Sequence, residues 1–131
     1  MKESSIPQAW LAKAHRDLLS AKKLGSGESP IYDTALYHCQ QSAEKAIKGY
    51  LVFRRIDFPR THDLNHLVKL AIKADSQFTE LFDAAELLTP MALEYRYPDD
   101  ITEPDESDFT EAFQSAQFVN NFVSEKLIFK I

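Results

Sequence analysis

The chain has 131 residues, a formal net charge of −5, 44% hydrophobic and 27% charged residues, which suits one globular domain with a real core. Its three glycines argue against a turn-rich β protein. The excess of acid disfavours indiscriminate nucleic-acid binding, which rests on lysine and arginine neutralising phosphates.

The charge is segregated along the chain. Lys45, Lys48, Arg54, Arg55 and Arg60 face only Asp57 in their stretch. Asp99, Asp100, Glu103, Asp105, Glu106, Asp108, Glu111 and Glu125 accumulate with no lysine or arginine between Arg96 and Lys126. One surface can attract an anion while another attracts a basic partner. The single cysteine, Cys39, forms no internal disulfide and falls short of a structural zinc set. No apolar run is long enough to span a membrane, and MKESSIPQ lacks the core of a secretory signal. A cytoplasmic location without membrane association, with no metal or cofactor, is the expectation.

Helical periodicity dominates, and strand-type alternation persists nowhere. The first helix is predicted over residues 6–24, with Ser5 and Gln8 in a capping-box pattern and Pro7 at a tolerant position. Leu11, Ala14, Leu18 and Ala21 mark its buried stripe. GSGES and Pro30 end it. A second helix over residues 32–55 buries Leu36, Cys39, Ala43, Ala46, Ile47, Tyr50 and the stem of Arg54. Asp57, Pro59 and Thr61 break the chain. A third helix begins near Asp63 with Leu64, Leu67, Val68 and Ala71 inward. Asp75 or Ser76 caps a fourth, carrying Phe78, Leu81, Phe82, Ala85 and Leu88 and ending near Thr89 and Pro90. YRYPDDITEP is irregular. A last helix starts around Asp108 and Glu111. The result is an all-α, up-and-down bundle of four to five helices in one domain over residues 1–131.

Residues three or four apart share a helical face. His38, Gln41, Lys45 and Lys48 therefore form a polar stripe opposite Cys39, Ala43, Ala46 and Tyr50. An imidazole, an amide and two ammonium groups can bind a phosphate or a base edge, while a solvated face with a Glu44–Lys48 pair is the simpler reading. Cys39 reads as a buried thiol. His62 and His66 have the spacing of a metal pair but lack a third ligand. On the last helix Phe109, Ala112, Phe113, Ala116, Val119, Val123 and Leu127 form one apolar face. Phe118, Phe122 and Phe129 form a displaced second stripe, the expected interface of a homodimer.

Three segments carry a family resemblance: AxxHCQQSAEKAIKGYL at residues 35–51, THDLNHL at 61–67 and YRYPDD at 95–100. Their order resembles a HEPN domain (higher eukaryotes and prokaryotes nucleotide-binding) of the prokaryotic stand-alone type, over residues 7–127. The resemblance implies a dimeric, nucleotidyltransferase-substrate-binding-like α-bundle that binds nucleotides. It also implies a nucleotidyltransferase partner in a toxin–antitoxin-like pair. Tyr95, Arg96 and Tyr97 offer guanidinium donors and aromatic faces for phosphate and base, so Arg96 and Tyr97 join Lys45, Lys48, Gln41 and His38 as candidate ligand contacts. Some members of the family are metal-independent ribonucleases with an Arg-x(4–6)-His motif on a late helix. Here Arg96 has no histidine after it, and Arg55 and His62 satisfy the spacing only in an early, proline-interrupted connection. The leading expectation is thus a nucleotide- or RNA-binding module. Ribonuclease chemistry by Arg55 and His62 is one alternative; a pure interaction protein, using acidic residues 99–111, is another.

Overall fold

Small residues decide where the first two helices meet. The computed structural model describes residues 6–93 and 103–127, and in it α1 (Pro7–Leu24) turns Ala14 and Ala21 fully inward. Helix α2 (Tyr32–Phe53) answers with Ser42, whose hydroxyl donates to the Ala14 carbonyl at 2.7 Å. One end of the contact is closed by Gly49, where a Cβ would lie 2.9 Å from Trp10 Cβ and 3.4 Å from the Pro7 carbonyl oxygen. The intervening turn holds Gly27 at φ +89°, a left-handed position that glycine occupies without steric cost.

Helix α2 ends at Phe53, two residues before the expected boundary. Arg55 adopts φ +57°, its N–H donates to Val52 O, and the Ile56 N–H donates to Leu51 O, at 3.0 and 2.9 Å. That is the Schellman closure of a helix C-terminus, built with arginine where glycine is usual. The same turn carries Arg54 outward, so its stem is exposed rather than in the expected core stripe.

The third helix matches its pattern closely. In α3 (Leu64–Ile72) Leu64, Leu67, Val68 and Ala71 are fully buried, and the Asp63 carboxylate accepts from Asn65 N at 3.0 Å. The expected fourth helix is divided. Residues Ser76–Leu81 form a 3-10 turn capped by Asp75, α4 spans Phe82–Leu88, and Thr89–Ala92 is again 3-10. In a 3-10 segment residues three apart eclipse, which sends Phe78 and Leu81 together into the core. Thr89 accepts from Leu64 N and donates to Ala85 O, tying the start of α3 to the end of α4.

Helix α5 (Glu106–Lys126) begins two residues before the expected Asp108, because Asp105 and Asp108 form a reciprocal capping box. Its Asn120 is buried and donates to Ser42 Oγ at 2.7 Å and to Ala116 O at 2.9 Å. A polar chain thus joins α1, α2 and α5 inside the bundle. Lys126 pairs with Asp75 at 2.8 Å, and its hydrogen bond holds the Asp75 carboxyl below the usual carboxylate range against a small effect of burial.

Helix α2 is the hub, touching α1, α3, α4 and α5. An aromatic path leads outward from it: Tyr50 stacks on Phe78 at 4.2 Å, Phe78 meets Phe122 edge-on at 5.0 Å, and Phe122 meets Phe118 at 6.3 Å. Phe122 is half-buried by this path, and Phe118 is 46% exposed. Phe129 lies outside the described residues. The described residues contain five α-helices and no strand, the all-α bundle expected.

Alanine is a better helix former than glycine by roughly 1 kcal/mol, yet Gly49→Ala is expected to destabilise the protein. The added methyl meets the stem of Trp10 and the α1 backbone, and overpacking of this kind costs about 1–3 kcal/mol. Urea unfolding checks this; an unchanged or raised midpoint would contradict close contact between the helices.

Candidate functional site

The polar flank of α2 is not a solvated face. Gln40, Gln41, Glu44 and Lys48 are buried, while His38 and Lys45 are partly exposed. Two neighbours produce this burial. On one side α1 lies against the flank and contributes Asp17, itself buried. On the other, the connection between α2 and α3 folds back, bringing Phe58 beneath the Lys48 ammonium at 5.5 Å and edge-on to Trp10 at 6.1 Å.

Burying ammonium groups is costly unless a carboxylate meets them. The protein solves this twice with one pattern. The Asp17 carboxylate binds His38 Nδ1 through Oδ1 at 2.8 Å and Lys45 Nζ through Oδ2 at 2.6 Å. The Glu44 carboxylate binds His62 Nδ1 through Oε1 at 2.8 Å and Lys48 Nζ through Oε2 at 2.9 Å. Gln40 joins the second cluster, donating to Glu44 Oε1 and to the His62 carbonyl, both at 3.1 Å, while Gln41 donates to Gln40 Oε1 at 2.8 Å. Every buried side-chain nitrogen and oxygen among the described residues has a partner.

With Nδ1 directed at a carboxylate, each imidazole is assigned its proton there, which leaves Nε2 as the acceptor in the neutral ring. Each cluster then combines one carboxylate, one ammonium and one imidazole. It is neutral when the ring is neutral and carries one positive charge when the ring is protonated. His38, 27% exposed, and Lys45, 28% exposed, lie at the α1–α2 seam; His62, 58% exposed, projects from the connection before α3. These are the solvent-accessible members of the two clusters.

Burial alone would raise the Glu44 carboxyl. Hydrogen bonds from His62, Lys48 and Gln40, with the Lys48 charge, outweigh it and hold the group below its usual range. Burial also pushes the Cys39 thiol up to about 12, so this side chain packs the core as expected and is no nucleophile at neutral pH.

The structure brings His38, Gln41, Lys45 and Lys48 to one flank of α2 and adds His62 to it. Arg55 stands apart, exposed at the left-handed turn after α2. Arg96 and Tyr97 lie outside the described residues. His66 is exposed on α3, and among the described residues no group of three or more potential ligands could hold a metal ion. Sequence reasoning passed over Asp17, Gln40 and the central role of Glu44. Asp17 could have been found: it occupies the buried stripe Ala14, Asp17, Leu18, Ala21, and an acid there needs a cation opposite. Gln40 and the bond from Glu44 to His62 depend on the path of the connection, which no spacing announces.

The family model of the HEPN domain matches residues 7–127. The crystal structure of an archaeal HEPN homologue superposes with a TM-score of 0.74 at 29% identity, covering 98% of this chain and 100% of that one. No curated protein matches the sequence. The chain belongs to the HEPN family. Among its described residues no helix is long and apolar enough to cross a membrane.

Replacing Glu44 with glutamine leaves Lys48 buried without its counter-ion, and a loss of about 3–5 kcal/mol at neutral pH is expected. The pH dependence has a definite sign. A carboxyl whose folded-state pKa is depressed adds stability above its unfolded value, about 4.3, and loses it as pH falls through the folded value. Denaturation followed from pH 7 downward should show the wild-type advantage over Glu44→Gln shrinking below about pH 4.3. A difference independent of pH there would remove the ion-pair explanation.

Proposed function

We propose that this protein is a nucleotide- or RNA-binding module that acts as a homodimer beside a nucleotidyltransferase, in a pair of the toxin–antitoxin kind. The observation that carries the reading is the cationic flank of α2. His38 and Lys45 are held by Asp17 at a partly open seam, where pre-positioned donors can meet a phosphate. Lys48 and Gln41 stand behind them as the buried support of the same flank. Arg96 and Tyr97 belong to the proposal as phosphate and base contacts, on the strength of their side-chain chemistry and the family pattern. Exposed Phe118, beside half-buried Phe122, supports α5 as the dimer face, with Phe129 continuing the stripe in sequence. Membership of the HEPN family supports the ligand class.

Titration calorimetry with a panel of mononucleotides tests the ligand. Binding is expected, weakened roughly tenfold by Lys45→Gln, the loss of one charge-assisted contact, and similarly by Arg96→Ala. No heat with any nucleotide would end this reading.

A ribonuclease reading keeps one specific support. The ring of His62 is oriented by a buried carboxylate, as a general base requires, while Arg55, which stands apart from that flank, is the group this reading needs for the phosphorane charge. Under that reading His62→Ala abolishes RNA cleavage while leaving the helical circular-dichroism signal intact. Cleavage insensitive to the substitution would exclude His62 as the base.

A further inference from the structure

The outer face of α1 carries charge that no described contact absorbs. Lys13, His15, Arg16, Lys22 and Lys23 are all exposed, and the only acid on the helix, Asp17, is buried against α2. None of the four lysine and arginine side chains takes part in an ion pair among the described residues. Lys22 and Lys23 occupy the last turn, where the helix dipole favours cations. Lys13 and Arg16 lie well before that turn, beyond the reach of the effect. The helix is thus basic along its length in a chain whose net charge is −5.

The arrangement suits an extended anion. Arg16, Leu19, Ser20, Lys22, Lys23 and Ser26 line an open hollow of about 500 Å³, its floor largely the apolar stems of these side chains. Lys13 and Ser20, four residues before Asp17 and three after it, share its flank of the helix. The face therefore runs on into the seam where Lys45 and His38 meet Asp17. Among the described residues of α1 the exposed ring is the His15 imidazole, and Trp10 is partly buried edge-on to Phe58, so the face lacks the succession of aromatic rings on which single strands stack. Cations without such a platform are suited to a phosphodiester backbone whose bases are already paired.

We infer that the outer face of α1 docks the phosphate backbone of structured RNA and leads it to the α1–α2 seam. This rests on the nucleic-acid reading proposed above and adds the surface and the form of the ligand. The contacts are electrostatic and independent of sequence. Affinity follows the number of phosphates neutralised and falls with salt.

The test uses the full chain and a short RNA hairpin, with fluorescence anisotropy read across a salt series. Wild type is expected to bind with a log–log salt slope of about −3, as for three to four neutralised phosphates. The double substitution Arg16→Glu with Lys23→Glu should lower affinity about tenfold or more and reduce the slope by about two. Both side chains are exposed and form no ion pair among the described residues, so thermal unfolding should not change. Hairpin binding unaffected by the double substitution overturns the inference. So does mononucleotide binding without hairpin binding, which leaves the functional reading standing. Salt-sensitive self-association removed by the same substitutions, without RNA binding, would instead assign the face to the acidic segment of a second copy.

Discussion

The buried carboxylate of Asp17 is the contact on which the polar half of the molecule depends. It lies in the α1 stripe that also contains Ala14, Leu18 and Ala21, so α1 cannot pack on α2 without burying it. An isolated carboxylate there would cost several kcal/mol. Lys45 and His38, presented by α2 one above the other, remove that cost by binding one oxygen each. The packing of the first two helices and the placing of two candidate ligand groups are therefore one event. A change that suits one alters the other.

The apolar half was legible from spacing alone. Leu64, Leu67, Val68 and Ala71 repeat at three and four residues, and the helix they predict is the helix found. The Cys39, Ala43, Ala46 and Tyr50 stripe is likewise buried. The polar side of α2 was not legible, for a physical reason. Spacing reports which residues share a face but not whether another segment covers it. His38, Gln41, Lys45 and Lys48 share a face as the sequence says, and the turn at Arg55 then folds the following connection over part of it. Arginine in a left-handed conformation gives no glycine to betray the turn. The divided fourth helix escaped for a related reason, because Phe78 and Leu81 are spaced alike in 3-10 and α geometry.

Pairing each cation internally has a consequence for binding. A lysine held by a carboxylate offers less net attraction to an anion than a free one, since the two charges nearly cancel at a distance. The His38–Asp17–Lys45 cluster gains a net positive charge only when its ring is protonated. Any longer-range field of positive sign has to come from exposed cations outside the two clusters.

Those charges and most of the acids lie on different helices. The exposed side of α1 is basic, while Glu103, Asp105, Glu106, Asp108 and Glu111 stand before and within the first turns of α5. Asp105 and Asp108 belong there for a local reason, as the capping box that starts the helix, and Glu106 complements the positive end of its dipole. Capping does not require Glu103 or Glu111. Phe109, near the start of α5, packs against Gly25 just after α1, so the acidic start of α5 lies beside the Lys22–Lys23 end of the basic helix. Opposite charges at that end offset each other's field, and the effect at a distance weakens further as salt shortens the screening length.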